Sequence, residues 1–453
     1  MKENNPHILG EAPIGKLLVE YSIPAIIGMT LTSLYNIIDS IFIGHGVGAL
    51  AISGLAITFP LMNLLVAFCT LVGVGGATLS SIRLGQKDKK GAEDILGNVA
   101  ILYVINAIFY GGLAFIFLEP ILFFFGASEA TLPYARDFMQ VILLGSPISY
   151  VMIGLNNIMR ATGYPKKAML SSMLTVGCNI ILAPIFIFVL NWGIRGAALA
   201  TICSQFIGML WVLYHFYSPK TYIRFQRHSM RLKQHIIANI FAIGMSPFVM
   251  NVCACCIVIF INNRLLNYGG DMAIGAFGIL NRIQMLFVMI VMGITMGMQP
   301  ITGYNYGAQH FDRVKRTLKL GITAGCIITT LGFIIGELFP GIFVGMFTDN
   351  HELTDEATLA LRIGILSFPV VGAQIVITQF FQSIGKARIS IFLSLSRQLL
   401  FLLPGLAFLP PFYGVEGVWF SMPLSDALAF AVAALMLAYH YKKKMSGTDL
   451  RTV

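Results

Sequence analysis

Charge is what this sequence has least of. Asp, Glu, Lys and Arg make up 11% of its 453 residues, against about 25% in soluble domains. That is too little to cover a water-facing surface, and 57% of the chain is hydrophobic. Alternating segments of about ten residues, the mark of a membrane β-barrel, are missing too. Apolar runs of about 20 residues recur instead, long enough to cross a bilayer as helices. An all-α polytopic membrane protein is expected.

Other absences narrow the function. No GxxxxGK[ST] sequence occurs, which argues against internal ATP hydrolysis. The apolar runs hold no His/Glu zinc motif, Ser/Lys pair or paired-Asp motif, so an enzyme is not expected. The seven Cys are scattered. Cys253 and Cys256 share a helical face, but no His or carboxylate lies nearby to complete a metal site, and small buried helix residues explain them better. No metal and no cofactor are predicted. The N-terminal MKENNPHILGEAPIGKLL has no signal-peptide cleavage pattern, so the first span is expected to stay as a membrane helix.

What is present is a series of twelve spans, at roughly 17–43, 50–80, 96–118, 133–160, 168–190, 196–217, 236–263, 272–302, 317–346, 356–383, 389–409 and 415–441. The net charge of +10 sits in the connections between them and needs no nucleic-acid partner. Of the 30 Lys and Arg, 24 fall in the two termini and in every second connection. The opposite loops hold Arg195 and Arg264 beside acids such as Glu119, Glu129, Asp271, Asp349, Glu352 and Glu416. By the positive-inside rule both termini are cytoplasmic, as an even span count also requires.

The two halves repeat. LGQKDKKGAEDIL (84–96) after the second span matches YGAQHFDRVKRTL (306–318) after the eighth. Gly85 and Gly307, Pro147 and Pro369, and Gly163 and Gly385 keep the same offset of 222, and WGIRGAA (192–198) matches YGVEGVW (413–419) at 221. Six spans per repeat keep both repeats in one orientation. Two six-helix lobes related by a pseudo-two-fold axis along the membrane normal are expected, a transporter layout with its substrate site at the repeat interface. The expected divisions are an N-lobe (1–217), a cytoplasmic linker (218–235), a C-lobe (236–441) and a basic tail (442–453). The linker reads as a solvated positive-inside loop in preference to a lipid-regulatory site.

One acid stands out. In TSLYNIIDSIFIG (32–44), Thr32, Tyr35, Asn36 and Asp39 share one helical face, so Asp39 belongs to a polar stripe aimed at protein or water. A charged Asp in hydrocarbon costs about 2.5–3.5 kcal/mol on insertion scales, and burial disfavours the charged form of any acid. A carboxylate that gains and loses a proton is what a proton-coupled carrier needs; a structural hydrogen-bonding role is the alternative. Shifted by the repeat offset, Asp39 falls on Ile261 or Asn262, so the acid is not a shared requirement of the fold. Pro24 interrupts the backbone ladder of the same helix and is either a hinge or a static kink.

Further polar residues lie within spans. Asn156, Asn157 and Gln205 are cavity candidates, although helix–helix hydrogen bonding explains the Asn pair equally well. Arg282, Gln284, Arg397 and Asp426 suggest a C-lobe polar network, with Arg397 and Asp426 a conceivable ion pair. The 22 Met and 34 Phe suit adaptable, cation-tolerant binding.

Six plus six spans, Pro24 and Asp39 in the first, Gly85-Gln86 and Gly307-Ala308, RATGYPKKA (160–168) and GIRGAALAT (193–201) together resemble the multidrug and toxic compound extrusion (MATE) family over about 15–440. The resemblance implies a V-shaped two-lobe antiporter, expelling bulky and often cationic organic compounds in exchange for inward H⁺ or Na⁺. It implies that Asn179 on the fifth helix and Thr201 on the sixth join Asp39 in an N-lobe cation site. The family often has a second Asp before the fifth-helix Pro; here Ala183 stands before Pro184. Na⁺ prefers several oxygen ligands, so this departure favours H⁺. The lipid bilayer and small organic compounds are the expected partners, and a monomer in the plasma (inner) membrane is the expected state. A lipid-linked precursor flippase of related architecture is the alternative; it would want a more cationic cavity.

Overall fold

The computed structural model describes residues 7–346 and 351–444. The side chains of Leu34, Asn36, Ile37, Ala49, Asp271 and residues 442–444 lie outside that description, as do Lys2, Asp349 and the rest of the tail at 445–453. All described regular structure is helical. The spans are α1 (Ile14–Gly46), α2 (Leu50–Gly85), α3 (Lys89–Ile116), α4 (Leu132–Ala161), α5 (Pro165–Val189) and α6 (Gly193–Tyr217). They continue as α7 (Gln234–Gly270), α8 (Met272–Gly307), α9 (Phe311–Leu338), α10 (His351–Gly364 with Phe368–Ser383), α11 (Ala387–Phe408) and α12 (Pro410–Tyr441). The two parts of α10 are bent by 55°. The break precedes Pro369, which lacks an N–H and disfavours helical backbone at the residue before it.

Among the described residues, eleven unbroken helices and one bent pair thus stand where twelve spans are expected. The ninth is shorter than its expected 317–346. It stops at Leu338 because Pro340 opens a separate short helix, Pro340–Gly345. With 33 residues, α1 is about 50 Å long, so its ends outreach the ~30 Å hydrocarbon core.

The backbone carries the repeat. Residues with left-handed φ recur as Gly48 and Gly270, Lys87 and Gln309, and Gly163 and Gly385, with 270−48, 309−87 and 385−163 all giving 222. Gly193 and Gly414 follow at 221. These are the turns that end one helix and launch the next, so both halves turn at matching places.

The chain forms two compact units. One takes the described residues up to Ala12 with Ile23–Asn251, and the other takes Pro13–Ser22 with those from Val252 on. The division falls inside α1 and α7, not at 218–235. Close backbone packing explains it. A Cβ on Gly75 of α2 would collide with the Ile240 carbonyl, and one on Gly244 of α7 with the Leu71 carbonyl. The start of α7 therefore lies flush on α2, which only small residues permit. In the other unit a Cβ on Gly297 of α8 would meet the Ser22 backbone, and Ser22 Oγ donates to Ile294 O at 3.4 Å. Gly75 and Gly297, like Ser22 and Gly244, stand 222 apart.

The connection at 218–235 is solvated on one side, with Lys220, Arg224, Arg227 and Arg231 exposed, and is packed on the other. Thr221, Ile223 and Ser229 are buried in it. Asn98 of α3 donates from Nδ2 to Arg231 O at 3.0 Å and accepts from Lys233 N at 2.8 Å. Lys233 Nζ meets Asp94 Oδ2 at 2.5 Å. One buried amide supplies both a donor and an acceptor, so it can hold a passing backbone as a neighbouring β-strand would.

Candidate functional site

The polar face of α1 meets α5 and α6 in the first unit. Tyr35 Oη lies 2.8 Å from Thr201 Oγ1. Thr201 Oγ1 donates to Ala197 O at 3.2 Å and accepts from Asn179 Nδ2 at 3.5 Å. A hydroxyl has one hydrogen to give, so with Ala197 taking it the Tyr35 phenol is the donor. Asn179 and Thr201 are both buried. Three helices are thus tied at one hydroxyl.

Asp39 lies one helical turn beyond Tyr35 and within electrostatic reach of it. Its residue is 6% exposed, and its Oδ1 has no hydrogen-bond partner among the described residues. Among the described residues it bonds neither Asn179 nor Thr201. The structure therefore brings Tyr35, Asn179 and Thr201 together directly, and Asp39 beside them through its helix. Ala183 is fully buried near the end of the same α5, ahead of a π-helical turn at Ile185–Val189. No second carboxylate stands there.

The remaining candidates divide. Thr32 is exposed and bonds back to Gly28 O at 2.9 Å, the usual retreat of a hydroxyl within a helix. The Asn36 side chain lies outside the described residues. Asn156 is buried and donates from Nδ2 to Ala168 O at 3.0 Å and to Ser171 Oγ. It therefore joins α4 to α5 through its Nδ2. Asn157 is half-buried, close to Gly73 of α2. Gln205 Oε1 accepts from Ser149 Oγ, joining α6 to α4. Pro24 is buried in an unbroken helix, two residues beyond the point where α1 changes unit.

In the second unit Arg397 Nε donates to Asp426 Oδ1 at 2.5 Å. The other two residues of the expected network stand apart. Gln284 donates to Gly364 O at 3.1 Å, and Arg282 is exposed. The four do not form one network because α8 turns Gln284 toward the bend of α10, while Arg397 faces α12. Sequence reasoning missed Asp94, Asn98 and Ser149. An acid and an amide at i, i+4 near a helix start were the only local sign of the first two.

The comparisons with known proteins agree with one another. A family model described as MatE matches residues 24–185 and 247–406. A curated relative, the multidrug export protein MepA of Staphylococcus aureus (strain MSSA476), is 26% identical over 451 residues, covering 98% of each chain. The solved structure of the MATE multidrug transporter DinF-BH is 35% identical, with a TM-score of 0.87 over 95% of this chain and 96% of that one. A MATE crystal structure in the bent conformation has a TM-score of 0.92 at 25% identity, over 98% and 99% of the two chains.

Proposed function

The chain belongs to the MatE family of multidrug and toxic compound extrusion transporters, and from that premise we propose an antiporter that exports organic, often cationic compounds against inward proton flow coupled at Asp39. It is a multi-pass plasma-membrane multidrug efflux transporter and not an enzyme. The finer reading rests on one observation: a buried carboxylate with an unpartnered oxygen, set beside the Tyr35–Thr201–Asn179 cluster. A protonated carboxyl and a carboxylate have opposite hydrogen-bonding needs. Proton arrival at Asp39 therefore changes what α1 can bond to, and Pro24 offers a place for the helix to bend. With Ala183 in place of a second acid, the oxygen set is poor for Na⁺, which supports H⁺.

Both termini lie in the cytoplasm in this reading, on the distribution of Lys and Arg. A C-terminal tag should react with antibody only in inverted vesicles. One chain is the transporting unit, so the detergent-corrected particle mass should be that of a single 49.6 kDa chain.

The deciding experiment is efflux of a fluorescent cationic dye from proteoliposomes holding wild type or Asp39→Asn, under separately imposed proton and sodium gradients. Proton-driven efflux by wild type and none by Asp39→Asn is expected. Sodium-driven efflux without a proton gradient overturns the choice of ion, and full activity of Asp39→Asn overturns the coupling site. Translocation of a lipid-linked precursor with no dye efflux would favour the flippase.

A further inference from the structure

Arg397 and Asp426 lie deep in the membrane. Arg397 is ten residues into α11, about 15 Å from its cytoplasmic end, and Asp426 is half-way along α12. In a core ~30 Å thick both are near mid-depth. Lipid phosphates are therefore out of reach, and a charged side chain turned to hydrocarbon is unfavourable. Yet the Arg397 side chain is 39% exposed, against 8% for Asp426. Its open face must look onto a polar passage.

The pairing geometry defines that face. Asp426 holds Arg397 by Nε, on one flank of the guanidinium. Among the described residues the two terminal nitrogens have no hydrogen-bond partner. The carboxylate thus fixes the plane of the group while the Nη edge stays free. Two parallel N–H groups in that arrangement match the two oxygens of a carboxylate. Arg397 sits on a seven-residue π-helical turn, Ser396–Leu402, a distortion frequent at functional sites. The next residue, Gln398, keeps a buried Oε1 without a partner among the described residues, on another face of the same turn. In the first repeat the offset of 222 sets Thr175 against Arg397, and the offset of 221 that holds past Gly414 sets Gln205 against Asp426. The Thr175 hydroxyl bonds back to its own helix and Gln205 accepts from Ser149, so neither is charged. The pair is an addition to the second unit, not a demand of the fold.

We propose that Arg397, held in place by Asp426, is a receptor for the carboxylate of transported compounds, so that amphiphilic organic acids and zwitterions are carried along with plain cations. This rests on the export reading above. The probes are two rhodamine dyes that differ at one group, a cationic ethyl ester and the same dye with a free carboxylate. Their dissociation constants on the purified full-length protein, read by fluorescence polarisation, give an acid-to-ester affinity ratio that does not depend on turnover. Relative to wild type the ratio should fall at least tenfold in the charge-balanced Arg397→Gln/Asp426→Asn variant. It should fall several-fold in Arg397→Lys, which keeps the charge but loses the planar fork. An unchanged ratio in both variants, or no binding of the acid to wild type, overturns the proposal. Wild type that binds both dyes but exports neither from proteoliposomes overturns the export reading alone.

Discussion

Tyr35 and Thr201 face each other hydroxyl to hydroxyl at 2.8 Å, and through that bond the helix carrying Asp39 is fastened to α6. The bond is local in space and 166 residues long in sequence. It ties α1 to a helix whose contact there is an uncharged hydroxyl.

Tyr35→Phe removes the donor and leaves Thr201 with its Asn179 and Ala197 bonds. A neutral hydrogen bond of this kind contributes about 1 kcal/mol, so the thermal midpoint in detergent should drop by only a few degrees. Proton-driven dye efflux should slow several-fold, because Asp39 remains but its helix is less firmly held. An efflux rate equal to wild type would show that this bond takes no part in coupling.

Pro24→Ala restores an N–H to the middle of α1 and straightens its options. If the helix bends there during transport, the turnover rate should fall while dye affinity changes little. Binding by fluorescence polarisation and transport in proteoliposomes separate the two. Normal turnover would make Pro24 a static kink.

Asn98→Ala leaves the Arg231 carbonyl and the Lys233 amide without their partner, a loss of about 1–3 kcal/mol. The effect should be concentrated in the 218–235 connection. Limited trypsin digestion reads it directly: cleavage after Arg231 and Lys233 should accelerate in the variant and not elsewhere. Equal digestion patterns would mean that the connection is held by other contacts.

Asp426→Asn strands the Arg397 guanidinium without its counter-charge. Breaking a buried pair typically costs about 3–5 kcal/mol, and the partial exposure of Arg397 puts this case at the low end. Adding Arg397→Gln should recover part of the loss, so the double variant should melt above the single one. A double variant that melts lower than Asp426→Asn would mean that Arg397 stabilises the helix pair through its stem and not its charge.

Much of this architecture was legible because the bilayer imposes a coarse rule. Twenty apolar residues in a row have few other uses, and the spans at 50–80, 133–160 and 272–302 lie inside α2, α4 and α8. The bend of α10 was not legible: Pro369 signals a helix start, but not the angle between the pieces. Tyr35 and Asp39 were readable as one face of one helix. That Asn156 would be consumed in joining α4 to α5 was not, since a buried amide gives the same sequence signal whether it faces a cavity or a neighbour. The Arg397–Asp426 bond and the Asn98 clasp depend on packing between segments far apart in sequence, which no local pattern encodes.

The division inside α1 and α7 has a consequence for how the molecule comes into being. The ribosome makes α1 before α8, yet its opening turns, Pro13–Ser22, pack with the second unit. Their neighbour Gly297 is made roughly 275 residues later. Domains generally fold in order of synthesis, and here that order cannot be kept. The start of α1 waits, unpacked at one end, until α8 has followed it. A gene cut between α6 and α7 would yield two pieces, each holding a helix end that belongs to the other.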